Sequence, residues 1–394
     1  MSEVYLDHAA TTVVRDSVIE VMAAALRETG NPSSLHAAGR RARRAIEEAR
    51  EQIAETLGAD PVEVIFTSGA TEADNLAVKG GYWAARDANP ARTAIALPPT
   101  EHHAVLDSAH WLAAREGATL RWVEVDQHGT AHPDVLAEAL AGDDVAVAAV
   151  MWANNEVGTI NDIPALAAIC AERGVALHVD AVQAIGRAAV DFGGLPVTSL
   201  ALSGHKIGGP VGVGALLAVR GFAPVPTAHG GGQERKIRSG TLDVAGAVGL
   251  ATAVREAEAE RVAERARLMT LRERIVREAS GIGGVEVNGH AVDGAGTHPA
   301  IVNLHVPGAD AESLLMLLDG EGVAISTGSA CTAGVSEPSY VVLAMTGDDR
   351  RGRQSIRVSM GRTTTESDIE RLLAALPLAA ARARRATGYR GTRG

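Results

Sequence analysis

Six short apolar runs rich in β-branched residues punctuate residues 62–219 of this chain, and Ala- and Glu-rich stretches of helical length separate them. The runs are VEVIF (62–66), TAIAL (93–97), LRWVEV (120–125), VAVAAVM (145–151), VALHV (175–179) and VGALLAV (213–219). Strand runs alternating with helical stretches specify a mostly parallel sheet with helices on both faces, an α/β architecture. The stretch 245–275 is continuous and free of Pro, so it reads as one long helix leaving that sheet. Beyond it come AIVNLHV (300–306), a helix around ESLLMLLDG, a Gly- and Ser-rich stretch with one cysteine, SIRVSM (355–360) and a last helix. These predict a smaller α+β unit. The basic end, ARARRATGYRGTRG, reads as frayed.

Composition narrows the class. At 394 residues and 46% hydrophobic, the chain is long enough for two cores, and with 3% aromatics those cores must rest on Ala, Val, Leu and Ile. A formal net charge of -11 argues against nucleic acid as the main partner. Two cysteines make no disulfide framework, no run approaches the roughly 20 apolar residues of a membrane span, and MSEVYLDHAATT has no signal-peptide pattern. A cytoplasmic location, with no membrane partner, is expected.

In open α/β sheets ligands collect beyond the carboxyl ends of the strands. TSGATEADN follows the first run, and its small residues ahead of a helix offer backbone N–H groups and the Thr71 hydroxyl to a phosphate, although an ordinary helix cap uses the same residue types. Asp180 follows VALHV. Most informative is LSGHKIGGPVGVGALL, where Lys206 sits among Ser, Gly, His and Pro directly ahead of a buried run. A lysine that forms a Schiff base and later acts as a base needs partial desolvation and small neighbours that admit a flat ring. Lys206, the phosphate loop and an acid for a ring nitrogen are together what pyridoxal phosphate requires.

From YLDHAATT through NPSSLHAAGR, FTSGATEADN, TEHHAVL, NNEVGTI, HVDAVQAIGR, SGHKIGGP, GGGQERKIRSGT and GSACTAG to SIRVSMGRTT, the sequence resembles the cysteine desulfurases of the class V aminotransferase group. The resemblance implies a fold type I pyridoxal-phosphate enzyme with a large domain over 15–260 and a small one from 1–14 and 261–394. It implies that Lys206 binds the cofactor aldehyde, that Asp180 and Gln183 meet the ring nitrogen and ring hydroxyl, and that His102 stacks on the ring and moves protons. Ala70, Thr71, Ser203 and His205 would hold the phosphate, joined by Thr241 from the other subunit of a homodimer. Asn155 and Arg357 would hold the carboxylate of L-cysteine. Asp243 stands where the family commonly has Asn.

Cys331 lies in GSACTAG, where its neighbours are small and none can anchor it firmly, as suits a thiolate that takes sulfur from substrate and passes it on. This resembles the GSACT form of the family rather than the GHHC form. Cys170, in LAAICAER, reads as a core residue. The product implied is alanine, and the acceptor an iron–sulfur scaffold protein or a tRNA-thiolation partner. No resident metal is expected, beyond a transient cluster at Cys331. A selenocysteine lyase, another lyase or transaminase of this fold, and a non-catalytic sulfur-relay scaffold remain the alternatives.

Overall fold

The computed structural model describes residues 3–292, 294–328 and 337–389. Its centre is a seven-stranded sheet in the order Val64–Thr67, Gly214–Ala218, Ser199–Ser203, Ala176–Asp180, Val145–Met151, Ala94–Leu97, Thr119–Trp122. Gly214–Ala218 runs antiparallel to both neighbours and the other pairings are parallel. Six of these strands therefore point their carboxyl ends to one edge. Val145–Met151 is buried at every position, the pattern of a strand covered on both faces.

Three sequence expectations shift. The run at 62–66 opens as a 3-10 turn, Pro61–Glu63, because Pro61 fixes the first turn and Asp60 and Glu63 form a capping box. The run at 120–125 pairs only to Trp122, since it is the sheet's edge. Ser199–Ser203, the strand leading into Lys206, was absent from the runs picked out above; its Ala and Ser positions dilute the apolar signal, yet all five residues are buried.

The 36-residue helix Val244–Ala279 joins two cores. Its first half packs Ala247, Leu250 and Val254 against the main sheet. Its second half packs Leu268, Leu271 and Ile275 against a cluster that includes Val4 and Leu6, the three-stranded antiparallel sheet (Ser355–Ser359, Ile301–His305, Glu286–Asn288) and the last helix. The basic end is only partly as expected: helix Glu366–Ala386 continues through 381–386, with Ala383 buried and Arg384 donating to the carbonyls of Pro307 and Gly283, both at 2.8 Å. Residues 4–12 run from the second core to the first. Val4–Tyr5 pairs with Val323–Ala324, His8 N–H donates to Ser359 O, and Thr12 N–H donates to His205 O.

Candidate active site

Sequence-distant residues meet at the carboxyl edge of the main sheet in a cavity of about 580 Å³. Its lining includes Ala70, Thr71, His102, Asn155, Asp180, Gln183, Ser203, His205, Lys206 and Arg357, each of them singled out from the sequence. Asp180 and Ser203 are the last residues of adjacent parallel strands, and Lys206 closes the 3-10 turn Gly204–Lys206 after Ser203. Arg357 comes from the centre of Ser355–Ser359 in the other core.

The helix Ala70–Ala88 starts without a side-chain cap, behind Gly69 at φ +150°, and no atom lies within 4 Å of where a Cβ on Gly69 would be. An uncapped helix start bordered by open space suits an anion, so the capping alternative fails here. Thr71, Ser203 and His205 surround the same cavity. Thr241 is exposed and does not line it, and Asp243, the departure from the family pattern, caps Val244–Ala279 by accepting from Gly246 N–H at 2.9 Å. Asp and Asn cap helices equally well, which accounts for the exchange.

Lys206 Nζ donates to the carbonyls of Ala9 (2.7 Å) and Ala10 (2.8 Å), and Gln183 Nε2 donates to the same Ala9 oxygen at 3.0 Å. Burial, with Arg357 nearby, lowers the lysine's pKa to about 8, against the opposing pull of Asp180 and Asp7. His102 caps the helix His103–Glu116 by accepting from Ala104 N–H through Nδ1 at 3.1 Å, and burial lowers its pKa. A neutral His102 with Nδ1 accepting carries its proton on Nε2. His103 is more than half exposed and packs near Tyr340, with ring centres 4.7 Å apart.

Sequence reasoning missed four acids. Asp7 Oδ1 pairs with Arg357 Nη2 at 2.7 Å, and Arg357 Nη1 donates to Asn155 O at 2.9 Å. Arg357 Nε and Asn155 Oδ1 are buried and have no partner among the described residues. Asp74 lies on the uncapped helix facing His178, Oδ1 to Nε2 3.0 Å, and burial followed by repulsion from Asp180 raises its pKa. Glu101, also fully buried, accepts from Met151 N–H, and burial raises its pKa as well. Glu156 follows Asn155 and is buried. All four stand inside motifs quoted above, which was the available signal. Cys331 lies outside the described residues; Cys170 is buried in the helix Ile163–Glu172, and burial pushes its pKa up to about 12.

The residues fit pyridoxal phosphate: an amine of lowered pKa, an acid two residues along the strand from His178, and an uncapped helix start border one cavity sized for a small cofactor with its substrate.

The class-V aminotransferase family matches residues 4–372. An IscS-like cysteine desulfurase of Mycobacterium tuberculosis is 52% identical over 386 residues, 97% of each chain. A solved NifS-like protein superposes with a TM-score of 0.87 at 33% identity, over 96% of this chain and 99% of that one. SspA, solved in complex with cysteine, does so with a TM-score of 0.77 at 30% identity, over 90% of this chain and 98% of that one. Agreement at this identity along nearly the whole length places the chain in the class-V aminotransferase family, among its pyridoxal-phosphate-dependent cysteine desulfurases.

Proposed function

We propose that the chain converts L-cysteine to L-alanine with Lys206, His102 and Cys331 as its catalytic residues. The observation that carries the reading is the Lys206 amine, buried at a pKa of about 8 in the cavity that also holds Asp180 and Arg357.

Bound pyridoxal phosphate supplies an electron sink for the substrate's α-carbon. Asp180 and Gln183 hold its ring, and Ala70, Thr71, Ser203 and His205 its phosphate. Arg357 offers the unpartnered Nε edge of its guanidinium to the substrate carboxylate, while Asp7 and Asn155 O fix the other edge. Asn155 adds its amide nitrogen, and its unpartnered oxygen can take a donor from substrate or cofactor. Its lowered pKa brings the Lys206 amine toward the neutral form that can remove the α-proton. His102 Nε2–H lies in the same cavity as a proton donor. The Cys331 thiolate attacks the substrate sulfur: an S–S bond forms as the C–S bond breaks, its electron pair stays with the carbon skeleton, and protonation there yields alanine. The persulfide on Cys331 then goes to an acceptor, an iron–sulfur scaffold protein or a tRNA-thiolation partner.

The working unit is a homodimer, an assignment supported by the exposure of Thr241 away from its own chain's cavity. We divide the chain into a large domain, 15–260, and a small one, 1–14 with 261–394. No helix among the described residues is long and apolar enough to cross a membrane, and a reducing cytoplasm suits a working thiol. Incubation with L-cysteine, assaying alanine and sulfide with and without acceptor proteins, tests the reading. Equal alanine from the parent and Lys206→Ala would sink it.

A further inference from the structure

We infer that Glu156 is a positioning residue that fixes both ends of the Cys331-bearing stretch against the substrate-binding pair Asn155 and Arg357. The inference rests on Cys331 being the sulfur acceptor and goes beyond it by naming what holds the described flanks of its stretch, Gly328 and Ser339, beside the substrate-binding pair.

Glu156 Oε2 accepts from Ser339 Oγ at 2.5 Å, on the carboxyl side of Cys331. On the amino side, a methyl group added at Gly328 (φ +88°) would sit 2.9 Å from the same oxygen, so the carboxyl occupies the space a side chain at 328 would need. One buried carboxyl thus bonds one flank and borders the other. Its own backbone is fixed: Glu156 N–H donates to Asn154 Oδ1 at 2.9 Å, and Asn303 Nδ2 donates to Glu156 O at 3.2 Å. The amino flank is also tied to the arginine. Ser326 and Arg357 exchange backbone hydrogen bonds (3.1 and 2.7 Å), and Gly328 N–H donates to Ser326 Oγ at 3.1 Å. The carboxyl flank reaches the histidine side of the cavity, where Tyr340 OH donates to Glu101 O at 2.8 Å, one residue from His102.

The two flanks are unequal: Gly328 lines the cavity and stands three residues before Cys331 in the sequence, whereas Ser339 stands eight after it. Glu156 therefore acts chiefly through Gly328. A buried acid is a costly way to fill space, and burial raises its pKa against the opposing effects of Ser339 and Arg357. A neutral acceptor at this position should serve as well.

The test uses the holoenzyme mixed rapidly with L-cysteine, with two readouts in one turnover: the absorbance change on cysteine binding, and persulfide on Cys331 by mass spectrometry. Glu156→Ala and Gly328→Ala should keep their apparent cysteine affinity within about threefold while persulfide forms roughly 30- to 100-fold more slowly, the scale of an ångström-sized misplacement. Glu156→Gln, which keeps an acceptor oxygen, should stay within about threefold of the parent, and Ser339→Ala should lose about fivefold. Parental persulfide rates in both Glu156→Ala and Gly328→Ala overturn the inference alone. So does a loss of cysteine affinity equal to the loss of rate, since Glu156 would then serve only Asn155 and Arg357. Absence of persulfide on Cys331 in the parent overturns the assignment of that cysteine first.

Discussion

Lys206 works because a cation has been placed where it is uncomfortable. Its ammonium has two backbone carbonyls for company and the Arg357 charge nearby, so the proton is lost near pH 8 rather than 10.5. In cofactor-free protein, acylation of Lys206 followed by mass spectrometry should therefore speed up about tenfold per pH unit and level off above pH 8. A rise that continues to pH 10 would show an ordinary lysine. Lys206→Ala should lower alanine production by at least about a thousandfold. The two thiols separate in the opposite sense. Burial keeps Cys170 protonated, so alkylation at pH 8 should label one cysteine in the native protein and two after unfolding. Cys170→Ser should leave the native count unchanged, whereas Cys331→Ser should remove it and stop alanine release while leaving the absorbance response to L-cysteine. At this scale the sequence was most legible where chemistry narrows the choice of residue, as at Lys206, Asp180 and Arg357. It was mute on Asp7, whose partner Arg357 is 350 residues away. Sequence spacing cannot reveal that a carboxylate near the start of a chain meets a guanidinium near its end.

Elements were readable wherever a single hydrophobic period decided them. Val145–Met151 and the long helix appear almost at their expected limits, and the run at 120–125 was overread because an edge strand ends when its one neighbour does. The segment 230–241 could not be placed from sequence: few of its residues are apolar, and it is held by polar contacts to distant residues, Arg238 to Glu72 and Arg235 to Val62 O among them, and by one buried ion pair. Arg50, on the helix Ala37–Leu57, grips Glu234 with two parallel hydrogen bonds of 2.9 and 2.7 Å, and Phe66 N–H donates to the same carboxylate at 2.9 Å. Glu234→Ala removes the two-point partner of a buried guanidinium, leaving it Glu47 and the Val64 carbonyl, and should cost about 3 kcal/mol in denaturant unfolding. A loss below about 1 kcal/mol would mean that water reaches Arg50 and that the pair is a surface contact in effect.

The molecule as a whole is two cores on one helix, about 54 Å long at 1.5 Å per residue. The site draws on both, since Lys206 and Asp180 belong to the main sheet and Arg357 to the other core. If Thr241 completes the partner's phosphate site, a mixture of Lys206→Ala and Thr241→Val subunits should regain activity that neither variant has alone, because one of the two sites in a mixed dimer then carries no substitution. Mixed dimers as inactive as the parent variants would place Thr241 outside the site.

Residues 4–12 have a further consequence, for synthesis. They hold Lys206 by its amine, yet Val4, Tyr5 and His8 among them pair with Val323, Ala324 and Ser359. A ribosome adding about 5–20 residues per second needs roughly 20–70 s to travel from Thr12 to Ser359. This early segment is thus among the last to find its place, and for all that time the lysine waits without its two acceptors. Nascent chains arrested before residue 320 should fold their main sheet but fail to retain pyridoxal phosphate, which makes cofactor capture an event that follows translation.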